Sequence, residues 1–399
     1  MMIGMALCLI GILDTVLSSY ASAYKAVGGA PFIAFFAICL GRVFAEVSLN
    51  EQIHKLFEEW GLRKPVNQIT GEVLEDACQW GFTRCSESLN AVTELVIRDK
   101  AIDGDLDALK KFTGLKTLIL TGTTVTGSLD AFKDIKSMSR LDIRGSRRFP
   151  SMIVGRLRDV EHMQDLEALK FTSSQILGDL AELGFRDKLK FLDLRRTSVF
   201  GDVRALSNMK SLLGLWLSGR QITGDVLDAV EGKQLKYLHL PNTNVGGFID
   251  DTTVRHLDAL TELVLGSSLI RFKLAWPDCN PHFDTCRSTI PLPLVHLLDV
   301  AGCALNMDVT DFLMPFAFNK RLSSISARGT GLYGELFDLN FHHCRNNATV
   351  WPTYSFDFGS SYLDLSENNI SAVWGAPWNV LALLDLQHNK ELATLATPW

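Results

Sequence analysis

The feature that most constrains this chain is a repeat. The pattern Leu-x-x-Leu-x-Leu-x-x-(Thr/Ser/Asn)-x-(Ile/Val/Leu)-x-Gly runs over Leu115–Gly127 and returns over Leu189–Gly201, Leu212–Gly224 and Leu235–Gly247. Its central apolar residue falls at Leu95, Leu118, Leu141, Leu169, Leu192, Leu215, Leu238, Leu263, Leu298, Ile325, Leu363 and Leu384. The first intervals are 23, 23, 28, 23, 23, 23 and 25 residues. A unit so short cannot bury its own apolar face, so neighbours must stack into a one-dimensional array with a continuous core.

The spacing says how each unit is built. Leu-x-Leu is a short strand whose two leucines point the same way, into the core. Three residues on, the chain presents a small polar side chain: Thr123, Ser146, Ser174, Thr197, Thr243, Ser268, Thr330, Asn368 and Asn389, with Cys303 in the same column. A hydroxyl or amide there can satisfy backbone groups of the bending chain. The glycine column (Gly104, Gly127, Gly178, Gly201, Gly224, Gly247, Gly334) marks a turn that a side chain would obstruct. These are leucine-rich repeats. The expected fold is an α/β solenoid: a right-handed horseshoe of about twelve coils, with a parallel β-sheet on the concave face and an irregular or short-helical convex side. Apolar residues make up 47% of the 399 and charged ones 21%, which suits a packed core and excludes a disordered chain.

Residues 1–45 read differently. Lys25, the apolar run Phe32–Leu40 and the ending Val43-Phe44-Ala45 are the three parts of a secretory signal peptide, with an uncleaved membrane anchor as the alternative. The domain reading is then a leader over 1–45, a cap over 46–92 and repeats over 93–399. Export leads to an oxidising compartment, where the equally spaced pairs Cys78-x6-Cys85 and Cys279-x6-Cys286 are expected to close as disulfides. Cys279-x2-His282-x3-Cys286 is also spaced for zinc, but no fourth ligand is evident, so no metal is expected. Asn347-Ala-Thr349 and Asn369-Ile-Ser371 are glycosylation acceptors in such a compartment. The expected location is secreted or extracellular, or membrane-anchored through the N-terminal segment.

Ahead of the repeats, Ser48-Leu-Asn-Glu51 is a capping box, and Leu49, Ile53, Leu56, Phe57 and Trp60 share one helical face. Then comes Cys78-Gln-Trp80-Gly81-Phe82-Thr-Arg-Cys85. The segment 46–95 resembles the plant-type N-terminal cap of extracellular leucine-rich-repeat proteins, in which a helix precedes a C-x-W-x-G-(V/F)-x-C element and the first strand. The resemblance implies a Cys78–Cys85 disulfide. The repeats resemble the same class, with two departures. The usual asparagine is mostly Thr or Ser, and Asp-Leu or Asp-Val follows the glycine where the class has Ile-Pro.

The formal charge of −6 argues against general nucleic-acid binding. No kinase signature, H-E-x-x-H, G-x-S-x-G or phosphate loop occurs, so neither catalysis nor a cofactor is expected. The function expected is a secreted or cell-surface recognition module that takes a protein, peptide or glycan on its concave face. An intracellular or membrane-anchored scaffold is the alternative. Residues flanking the inward leucines form the candidate site: Arg140, Arg144, Lys170, Phe191, Asp193, Arg195, Arg196, Trp216, Tyr237 and His239. Aromatic side chains beside arginine are the types that dominate binding hot spots. The acids of this patch, Asp142 and Asp193, are read as facing the ligand and so as opposing a purely polyanionic one.

Overall fold

The computed structural model describes residues 49–65, 74–88, 90–100, 102, 104–146, 149–184, 186–274, 292–316, 319, 321–336, 361–373, 381–392 and 394–395. The leader, Ser48, the Cys279–Cys286 pair and the Asn347 acceptor lie outside them. By internal contacts the chain forms two compact units, 1–94 and 95–399.

In the first unit the helix 49–59 buries the expected face: Leu49, Ile53, Leu56, Phe57 and then Trp60. The Asn50 side-chain oxygen accepts from the Ala77 N–H at 2.9 Å, tying the helix to the short 3-10 turn Ala77–Gln79. Trp80 is buried beneath this helix, edge-on to Phe57 at 4.6 Å between ring centres and stacked on His54 at 5.1 Å. Its indole N–H donates to the Leu74 carbonyl at 2.9 Å, so the buried ring leaves no polar atom unsatisfied. Cys78 and Cys85 are joined by the disulfide that the resemblance implies.

The second unit is a leucine-rich-repeat solenoid. Parallel strands stack in sequence order, each from one coil: Thr117–Thr121, Arg140–Arg144, Ala168–Thr172, Phe191–Asp193, Gly214–Trp216, Tyr237–His239, Glu262–Val264, Leu297–Asp299, Ser324–Ser326, Ser361–Asp364 and Leu381–Asp385. Their register matches the repeat residue for residue. Leu118 faces Leu141, Leu141 faces Leu169, and the ladder continues through Leu192, Leu215, Leu238, Leu263, Leu298, Ile325 and Leu363 to Leu384. Nearly all of these side chains are fully buried.

The polar column works as its chemistry requires. Thr197, Thr243 and Thr330 each donate to the carbonyl three residues back, at 2.7, 2.9 and 2.9 Å. Asn368 and Asn389 do the same and also reach the preceding coil, at Ala327 and Leu365. Cys303, free and buried, fills the column with its thiol 3.6 Å from the Leu265 carbonyl.

The opposite limb of the coil is more ordered than the sequence suggests. Thr126–Ser128, Met152–Arg156, Gln175–Asp179, Ser198–Asp202, Ile222–Asp225 and Asn244–Gly246 form a second parallel sheet, in place of an irregular stretch. One-turn helices follow, among them Leu180–Leu183 and Val203–Leu206. Here the Asp that stands after the glycine acquires a reason. Asp179, Asp202 and Asp225 each accept an N–H of that helix at 2.8 Å, capping it. The glycine of the next coil packs on the same carboxylate. Gly224, at φ +111, has no room for a Cβ beside Asp202 and Val203.

Candidate functional site

The concave strands set three side chains per coil facing out between inward leucines, and their register decides which of them meet. Phe191 pairs across the sheet with Gly214 and Ala168, Trp216 with Asp193 and His239, and Lys170 with Asp142 and Asp193. Trp216 lies at the centre. Its ring centre is 6.4 Å from Phe191, 5.4 Å from Tyr237, nearly parallel to it, and 5.8 Å from His239, edge-on. The Lys170 ammonium sits 5.3 Å from the centre of Phe191 and 5.4 Å from that of Trp216. Burial pushes the Lys170 pKa down despite the Asp142 charge. Five of the predicted residues, Lys170, Phe191, Trp216, Tyr237 and His239, thus form one aromatic patch.

Gly214 makes this patch possible, and the sequence reading missed it. A Cβ at Gly214 would collide with the six-membered ring of Trp216, so the indole packs against the glycine two residues before it. The signal was present in Gly214-Leu-Trp216: a glycine at an outward strand position where the neighbouring coils carry Phe191 and Tyr237.

His239 closes one side of the patch. Its ring nitrogen lies 3.0 Å from a Glu262 carboxylate oxygen, and His296 approaches the other oxygen at 3.8 Å. Burial lowers the His239 pKa, and the hydrogen bond to Glu262 opposes that shift.

The remaining predicted residues gather elsewhere. Arg144 grips Asp142 with Nε at 2.6 Å and Nη2 at 3.1 Å, and Arg195 grips Asp193 at 2.9 and 2.8 Å. Arg140 adds a longer contact to Asp142 at 3.5 Å. The reading of Asp142 and Asp193 as ligand-facing acids is therefore corrected. Their side chains are 0% and 4% exposed, covered by arginines that stay 35% and 39% exposed. What this region presents outward is guanidinium. Arg144, Arg195 and the exposed Arg196 line a cleft of 640 Å³ along the turns that follow the strands. The Arg196 backbone, at φ +56, donates to the Ser218 hydroxyl at 2.9 Å.

Asn369 is exposed at the start of the strand Asn369–Val373. Among the described residues no group of three or more His, Cys, Asp or Glu side chains could hold a metal ion. Among them, too, no helix is long and apolar enough to cross a membrane.

Neither a protein-family profile nor any curated protein matches the sequence. Solved structures do match, among them leucine-rich-repeat ectodomains of plant receptors. One is the ectodomain of the Arabidopsis receptor kinase HAESA in complex with an N-terminally extended IDA peptide hormone, with a TM-score of 0.56 and 13% identity over 82% of this chain and 50% of that one. Another is the plant peptide hormone receptor RGFR1 in complex with RGF2, at 0.53 and 17% over 80% and 48%. A plant ice-binding protein matches at 0.51 and 15%, over 87% of this chain and 98% of its own. The fold is the one these ectodomains have, and the chain spans about half the length of the two receptors.

Proposed function

We propose that the chain is a secreted or cell-surface recognition module that binds a protein or peptide across its concave face. The observation that carries this reading is the aromatic patch. Phe191, Trp216 and Tyr237 stand side by side on three adjacent strands, partly exposed, with an ammonium over two of the rings. Such a group offers a large apolar area at small entropic cost, the composition of a binding hot spot. Its ligand would lay an apolar or aromatic segment over Trp216. The Cys78–Cys85 disulfide supports export, because disulfides persist in oxidising compartments. The fold shared with two peptide-hormone receptor ectodomains is consistent with a peptide ligand.

Two measurements test this. Intact-mass analysis of the protein from its native source should find a chain starting near Glu46 with Cys78 and Cys85 oxidised; a reduced, full-length chain would overturn export. Affinity capture with the mature protein, run beside Trp216→Ala, should retain a partner that the variant loses. A partner retained equally by both would remove the patch from the reading.

A further inference from the structure

The guanidinium cleft is a second feature, separate from the aromatic patch. It runs along the turns after the concave strands, from Asp99 on the coil of Leu95 to Asn242 on the coil of Leu238. Its walls are unusual in what they lack: apart from the Pro241 ring they carry no purely apolar side chain beyond glycine, and hydroxyls line it, with Thr172 between Arg144 and Arg195 and Thr121 and Ser218 on the coils to either side. Ligand pockets are more often lined mainly by apolar side chains. This one offers hydrogen-bonding groups and three guanidiniums, with the Asp99 carboxylate at one end.

Two of the guanidiniums are held in place by buried carboxylates. Arg144 and Arg195 spend their Nε and Nη2 atoms on Asp142 and Asp193, which fixes each guanidinium plane, and no Nη1 partner is found among the described residues. Arg196, unlike them, has no ion pair among the described residues. Arg144 and Arg195 stand on coils with one coil between, so strand spacing puts them about 10 Å apart. That is wider than one sugar ring and suits a short chain of them. A guanidinium edge matches a planar carboxylate.

We propose that this cleft binds a short chain of uronic-acid sugars, with carboxylates on Arg144, Arg195 and Arg196 and ring hydroxyls on the Ser, Thr and Asn242 groups beside them. The inference stands apart from the peptide reading and survives its failure. The test is calorimetric titration of the full chain with a tetramer of galacturonic acid, its fully methyl-esterified form and the monomer. The tetramer should bind, with the ester and the monomer at least tenfold weaker. Arg196→Asn, chosen because asparagine accepts the same backbone geometry, should weaken the tetramer about tenfold without moving the melting temperature. Absence of tetramer binding, equal binding of the ester, or an unchanged affinity in Arg196→Asn would overturn the proposal. So would loss of binding in Trp216→Ala with Arg196→Asn unaffected, which puts the sugar on the aromatic patch. Displacement by equimolar inorganic sulfate would reduce the cleft to a bare oxyanion site and overturn the sugar assignment.

Discussion

Leu215 and Trp216 are neighbours in sequence with opposite fates: one is fully buried and the other forms the middle of an exposed patch. Leu215→Ala should therefore cost about 2–5 kcal/mol of stability by opening a cavity. Trp216→Ala should keep the fold and weaken the partner by about 1–3 kcal/mol. Gly214→Ala belongs with the second, because it displaces the indole without strain in the strand; altered tryptophan fluorescence with a nearly unchanged melting point is the expected result. The leucines were legible because a period of 23 residues fixes which side chain turns inward. The fate of Asp193 was not, since it depends on Arg195, in the turn after the strand, folding back on the residue two before it, a rotamer choice that spacing does not encode.

Lys233 carries a pH effect of definite sign. It is buried after the helix Val226–Val230, its ammonium donating to the Asp228 carbonyl at 3.2 Å. Burial, with the nearby Lys210 charge, pushes its pKa down from 10.5 to about 8. The unfolded chain holds this proton up to about 10.5 and the folded one gives it up near 8, so raising pH between these values favours folding. Lys233→Met should thus be more stable than the parent at pH 7, by on the order of 2–3 kcal/mol, with the gap closing toward pH 10.5. A constant gap in chemical denaturation across that range would contradict the buried charge.

At the scale of the element, the aspartates that follow the repeat glycines separate this chain from the class it resembles. Each caps a one-turn helix and also packs against the glycine of the next coil. Asp202→Ala should cost about 0.5–2 kcal/mol, as lost caps do. Gly224→Ala should cost more, because it meets both a collision with Asp202 and a left-handed backbone. Thermal melts of the two variants decide the order. The sequence showed the Gly-Asp pair as repeat consensus but not its purpose, since the partner N–H and the packed glycine come from different coils. The second sheet was hidden for a similar reason: Met152, Leu177 and Phe200 are exposed there, so no apolar alternation announces strands.

For the whole molecule, the two compact units are expected to respond separately. Cys78→Ser should remove about 2–3 kcal/mol by freeing a short loop in the unfolded chain. Hydrogen exchange should rise first across residues 49–94, while the strands near Trp216 stay protected. An unchanged pattern in the first unit would deny the disulfide its role. The ladder of leucines and the cap were readable because both rest on local spacing. The arginine cleft was not, as its walls come from turns spread between Asp99 and Asn242.

The polar column has a mechanical consequence. Thr197 and Thr243 bond within their own coils, so each central coil holds itself. Asn368 grips Ala327 and Thr330 of the coil before it, and Asn389 grips Leu365 and Ile370. Stretched from its ends in an optical trap, the solenoid should release central coils singly, in small steps. The coils of Ile325, Leu363 and Leu384, riveted together by their asparagines, should give way in one larger step at higher force.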